Sequence, residues 1–184
     1  MNLTEKTVNS KKLYDGRIIK LYNDEITLPN GKDAFREYVK HPGGICVVPV
    51  TENEEVLLVR QFRYPYGKLV TEIPAGKRDS ATEDPLEGGK RELREELGVT
   101  AENYYYLGEF YPTPGYTDEV IYMYAATGLT YGETDPDEDE FVLEERIHID
   151  DLVELILNGE IADGKTQAAV LKTKLLLEDG FIKL

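Results

Sequence analysis

The stretch from Glu72 to Val99 constrains this chain more than any other. Its middle reads Arg91-Glu92-Leu93-Arg94-Glu95-Glu96. On a helix, Glu92, Glu95 and Glu96 stand at i, i+3 and i+4, which puts all of these carboxylates on one face within a single turn. Like charges so close repel, and a fold that keeps them neutralises them. An all-carboxylate oxygen set suits Mg²⁺, with Mn²⁺ as a possible substitute, rather than zinc or copper. The alternative is a solvated face in which the same glutamates pair with Lys90, Arg91 and Arg94.

The other side of this segment reads as core. Leu86, Leu93 and Leu97 fall on an apolar stripe at helical spacing, so the helix is expected to lie against a sheet. Pro85 suits a first turn, where its missing N–H is not needed, and Gly98 suits the position just past the last turn. Gly88 and Gly89 each cost about 1 kcal/mol relative to Ala in a helix interior, so they are expected to mark close packing.

The order of these residues resembles the signature of the Nudix hydrolases, which cleave nucleoside diphosphates linked to another moiety. From Glu83 the chain gives seven residues, Arg91-Glu92-Leu93, one residue, Glu95-Glu96, one residue and Gly98-Val99. Upstream, Gly76 and Glu83 lie one residue further apart than the family's pattern has them, and Lys77 stands at the nominal Gly position. This reads as a lengthened loop after a Pro74-Ala75-Gly76 turn.

The chain has 184 residues and a formal charge of −15. That length favours one main domain with a small appendage. The acidic field, without a basic patch, argues against a nucleic-acid partner or an anionic membrane surface. Cys46 is the only cysteine and sits in the apolar run Ile45-Cys46-Val47-Val48. It reads as a small buried hydrophobe, with neither an intramolecular disulfide nor a cysteine zinc site available. The polar residues from Met1 to Lys12 lack the apolar core of a signal peptide, and no apolar run is long enough to span a membrane, so the expected location is the cytoplasm.

Along the chain, Arg17 to Leu28 and Ala34 to Lys40 read as strands around the turn Pro29-Asn30-Gly31-Lys32. His41-Pro42-Gly43-Gly44 then marks a boundary, giving an amino-terminal β-sheet domain over 1–41 and a main domain over 42–184. Strands are expected over Ile45 to Val50, Glu55 to Phe62, Lys68 to Ile73, Tyr104 to Tyr111, Val120 to Thr127 and Phe141 to Ile149. Helices are expected over Asp150 to Asn158 and Thr166 to Leu177. The pattern predicts an α/β (α+β) class, and the resemblance implies a Nudix-type α/β/α sandwich with a mixed sheet beside the small amino-terminal antiparallel sheet. It also implies exchange of the small sheet across a homodimer.

Outside the helix, Arg63 emerges at a strand end and is either a surface residue at a turn or a bidentate phosphate ligand; the resemblance favours the phosphate role. Pro114-Gly115-Tyr116-Thr117-Asp118-Glu119 is similar to a segment of the family's ADP-ribose and nucleotide-sugar hydrolases, so Tyr116 and Glu119 are candidates for substrate binding. The acidic run from Gly132 to Glu140 reads as a solvated loop. By the resemblance one of its glutamates serves in catalysis or metal binding: Glu140, with Glu138 in reserve. His41 and His148 carry no assigned chemistry.

The function implied is Mg²⁺-dependent hydrolysis of ADP-ribose to AMP and ribose 5-phosphate. Glu92, Glu95 and Glu96, with the Ala75 carbonyl and Glu140, form the expected metal set. Glu96, Glu140 and Glu92 are the expected catalytic residues, Arg91 pairs with Glu83 in support, and Gly76 shapes the turn. The alternatives are another nucleotide sugar, such as GDP-mannose, and a non-catalytic nucleotide-sugar sensor; mutually repelling acids speak against the sensor.

Overall fold

The computed structural model describes residues 2–78, 80, 82–135 and 141–184. They divide into two compact units, Met1–Gly43 with Tyr111–Val120, and Gly44–Phe110 with Ile121–Leu184.

The first unit is a three-stranded antiparallel sheet in the order β1 (Lys6–Asp15), β2 (Lys20–Thr27), β3 (Asp33–Lys40). The Pro29 to Lys32 turn closes between β2 and β3 with Leu28 N donating to Lys32 O at 2.8 Å. Tyr22 and Tyr38 stack across these strands with ring centroids 5.5 Å apart. Strand β1 differs from the sequence expectation, which placed no strand there. Every residue of β1 is exposed, so it has no apolar alternation to betray it. The segment 111–120 joins this unit through Val39 N donating to Tyr116 O at 2.8 Å and Asp118 N donating to Val39 O at 3.2 Å.

The second unit holds two sheets. One is mixed, in the order β7 (Ala75–Lys77), β4 (Gly44–Pro49), β9 (Ile121–Tyr131), β8 (Val99–Phe110), with β4 and β9 parallel. The other is antiparallel, in the order β10 (Leu143–His148), β5 (Glu55–Arg63), β6 (Lys68–Glu72). Alternate residues of β4 and β5 point to opposite faces, as the period of a strand requires. Ile45, Val47, Leu57 and Val59 meet Leu93 and Leu97 of helix α1 (Pro85–Leu97). Cys46, Val48, Val56 and Leu58 share a core with Ile149, Leu152 and Ile156 of α2 (Ile149–Leu157) and Ala169 and Val170 of α3 (Gly164–Glu178). Strands buried on both faces explain why these runs are almost wholly apolar. In this core, burial pushes the Cys46 thiol up to about 12.

Residues Ala75–Lys77 are a strand rather than a turn, pairing Gly76 with Ile45 and Ala75 with Cys46. Strand β8 begins at Val99, directly after the helix, well before Tyr104.

Candidate active site

Helix α1 is built as its residues dictate. The Asp84 side chain accepts from Leu86 N at 2.8 Å and caps the start, Pro85 occupies the first turn, and Gly98 ends the helix at φ 64°. Gly88 and Gly89 let it descend onto β4: a Cβ on Gly88 would lie 2.8 Å from Ile45 Cδ1, and one on Gly89 would lie 3.2 Å from Ile45 and Val47 methyls. This close approach brings the carboxylate face against β7. A Cβ on Gly76 would fall 2.0 Å from the Glu92 carboxylate.

Glu92 and Glu96 are buried, while Glu95 and Glu83 are partly covered. Glu96 Oε2 accepts from Ala75 N at 3.1 Å, which ties the helix to the strand. Arg91 lies among the acids: its Nη1 donates to Glu92 Oε1 at 2.7 Å and Glu95 Oε2 at 2.9 Å, and its Nη2 lies 3.5 Å from Glu83 Oε1. The same Nη2 donates to Lys77 O at 3.2 Å, which ties the start of the loop to the helix, and Arg78 Nη2 donates to Glu83 O at 2.5 Å, which ties the start of the loop to its end. Among the described residues, no three His, Cys, Asp or Glu side chains converge as a ligand set.

The Arg63 guanidinium, 37% exposed, makes a bidentate pair with Glu72: Nε to Oε1 at 2.6 Å and Nη2 to Oε2 at 2.7 Å. Glu72 also accepts from Lys165 Nζ. Lys165 in turn donates to Asp163 Oδ2 at 3.0 Å, and that oxygen caps α3 by accepting from Thr166 N and Thr166 Oγ1 at 3.0 and 2.6 Å. Thr166 Oγ1 accepts from Ile73 N at 3.0 Å. Burial alone would push the Glu72 carboxyl up, yet Arg63 and Lys165 hold it below the usual range. Burial alone would lower the Lys165 ammonium, yet Asp163 and Glu72 hold it above the usual lysine range.

Sequence reasoning missed this network. Its only local signal was Asp163-Gly164-Lys165-Thr166, an N-cap pattern ahead of an apolar helix.

Tyr116 and Glu119 belong to the other unit. Tyr116 is exposed, and Glu119 Oε1 lies 3.4 Å from His41 Nδ1. Glu140 and Glu138 lie outside the described residues. A cleft of about 600 Å³ opens at Glu96, lined by Arg60, Phe62, Leu69, Thr134 and residues 141–144.

A family model of the NUDIX domain matches residues 40–168 of the chain. The chain belongs to the Nudix family. A second model, the nucleoside diphosphate sugar hydrolase N-terminal domain, matches residues 5–39. Among Nudix relatives, the chain is 39% identical over 171 residues to the ADP-ribose pyrophosphatase of Bacillus subtilis (strain 168), covering 92% of each. It is 40% identical over 168 residues to the methanol dehydrogenase activator of Bacillus methanolicus, covering 90% of each. A crystal structure of an ADP compounds hydrolase superposes with a TM-score of 0.85 over 99% of this chain and all of that one; at 18% identity this likeness shows the fold.

Nudix hydrolases generally use a divalent metal, and the residues here fit one. The donors are hard carboxylate oxygens concentrated on one helix face, and Gly76 leaves the Glu92 carboxylate a space that any side chain would fill.

Proposed function

We propose that this chain hydrolyses the diphosphate linkage of ADP-ribose to AMP and ribose 5-phosphate, using Mg²⁺, as a cytoplasmic homodimer. The observation that carries the chemistry is the seating of buried Glu92 and Glu96 against Gly76 and Ala75. The choice of ADP-ribose rests on the Bacillus subtilis relative, which matches over nearly the whole of both chains. No helix among the described residues is long and apolar enough to cross a membrane.

Glu92, Glu95 and Glu96, with the Ala75 carbonyl and Glu140, are the residues that would hold the cation. When bound there, a divalent cation would supply neutralising charge for the phosphates and would lower the pKa of water. The chain's own groups do the rest. Ala75 N–H fixes the Glu96 carboxylate, and Arg91 orients Glu92 and Glu95 while leaning on Glu83. Arg63, the partly exposed cation of its cluster, meets substrate phosphate through its fork. Glu96 or Glu140 takes the proton of the attacking water. Tyr116 and Glu119 are the residues proposed to contact the nucleotide.

The test is a panel of ADP-ribose, GDP-mannose and other nucleoside diphosphate compounds with Mg²⁺, read by product chromatography. Fastest release of AMP from ADP-ribose is expected; faster turnover of GDP-mannose would reassign the substrate. A second reading has the Bacillus methanolicus relative in its favour: a role in activating a dehydrogenase. Adding the chain to a purified alcohol dehydrogenase and following its rate distinguishes that role.

A further inference from the structure

Arg63, the residue assigned to phosphate, is committed in this structure to Glu72. A phosphate therefore has to compete with a carboxylate whose side chain is only 2% exposed. Were Arg63 its sole partner, turning the guanidinium away would strand a bare buried charge, and that penalty opposes binding.

Glu72 has a second partner. Lys165 Nζ reaches Glu72 Oε2 from the opposite element, with its own side chain 9% exposed. Its placement is not explained by the helix it belongs to. Lys165 sits in the first turn of α3, where a cation has the wrong sign for the macrodipole. It is anchored there by Asp163, which itself is fixed by the Thr166 N–H and hydroxyl. The cluster thus has one partly exposed cation and one buried cation around a single carboxylate. Arg63 is held chiefly by Glu72, and it also feels, more weakly, the Asp163 and Glu96 carboxylates.

We propose that Lys165 is a positioning residue for diphosphate binding, staying on Glu72 while the Arg63 guanidinium turns from that carboxylate to a substrate phosphate. This rests on the diphosphatase reading above. Without Lys165, Arg63 is locked on Glu72, and only the rare released fraction is competent to bind. With both Lys165 and Glu72 neutralised, Arg63 is released again.

The test uses the full chain as wild type, Lys165→Met and the double variant Glu72→Gln/Lys165→Met, each checked for folding by circular dichroism. Binding of inorganic pyrophosphate with Mg²⁺ present is measured by calorimetry, and kcat and KM are measured on ADP-ribose. Lys165→Met is expected to weaken pyrophosphate binding and raise KM by at least about tenfold, with kcat within about threefold of wild type, and the double variant to recover wild-type affinity within about threefold. A merely structural role would lower kcat along with affinity and give no recovery. A folded Lys165→Met with unchanged affinity overturns the proposal. If Lys165→Met does not fold, the double variant decides, and about tenfold weaker binding in it overturns the proposal too. Wild type that fails to bind pyrophosphate also overturns it, whereas wild type that binds pyrophosphate but turns over no diphosphate sinks the hydrolase reading alone.

Discussion

Gly76 and the Glu92 carboxylate approach so closely that a Cβ on the glycine would fall 2.0 Å from the carboxylate carbon. Gly76→Ala is therefore expected to push that carboxylate aside. The displaced atoms are the far end of a flexible side chain, so stability should change by no more than about 1 kcal/mol. Turnover should fall about a hundredfold, the usual effect of misplacing a catalytic group by an ångström. Melting curves and kcat measured together check this; full activity in the variant would show that Glu92 needs no such space.

Glu96→Gln keeps shape and removes one charge from a face whose members stand about 5 to 6 Å apart. Without metal, the variant should melt at the same temperature as wild type or higher. With Mg²⁺ the order should reverse, because a ligand that binds the folded state stabilises only the protein that holds it. Hydrolysis should drop by about a hundredfold or more. Equal Mg²⁺ shifts in both melting curves would show that Glu96 is not a metal ligand.

Acid should weaken the fold through Glu72. Its folded pKa lies below the ordinary value of 4.5, so its contribution is present above that pH and is lost as pH falls through the depressed value. Glu72→Gln should cost about 2 kcal/mol at neutral pH, typical of hydrogen bonds to a buried charge, and should flatten the decline below pH 4.5. Urea titrations at stepped pH measure both; parallel curves for the two proteins would contradict the assignment.

The amino-terminal sheet is expected to carry a homodimer contact. Edge strand β1 leaves Val8, Leu13 and Tyr14 exposed at 66%, 48% and 58%, and a long exposed edge invites pairing with another chain. Light scattering at micromolar concentration should give twice the chain mass, and deletion of residues 1–41 should give a monomer. A dimer that survives the deletion would place the interface elsewhere.

Much of α1 was legible because its signals are local. Asp84, Pro85 and Gly98 mark its ends, and the leucines mark its buried face within a few turns. Central strands β4 and β5 were legible for the same reason, as unbroken apolar runs. Strand β1 was not, because it is exposed along its whole length and its few apolar residues, Val8, Leu13 and Tyr14, do not alternate with a period of two. Nor was the Glu72–Lys165 contact, which joins residues 93 positions apart and exists only once α3 docks. Arg63 illustrates the limit most sharply. Its residue type and position suggested a phosphate ligand, but only the fold shows that a carboxylate already holds its fork.

The carboxylate face of α1 is expected to support metal-dependent cleavage of a diphosphate. This is tested most directly by following AMP release from ADP-ribose while Mg²⁺ is removed with a chelator and then restored. AMP release should cease on chelation, return on addition of Mg²⁺, and stay absent throughout in a variant carrying Gln at both Glu92 and Glu96. AMP release that persists in the chelator, or that survives in the double variant, would show that the α1 carboxylates hold no metal needed for cleavage.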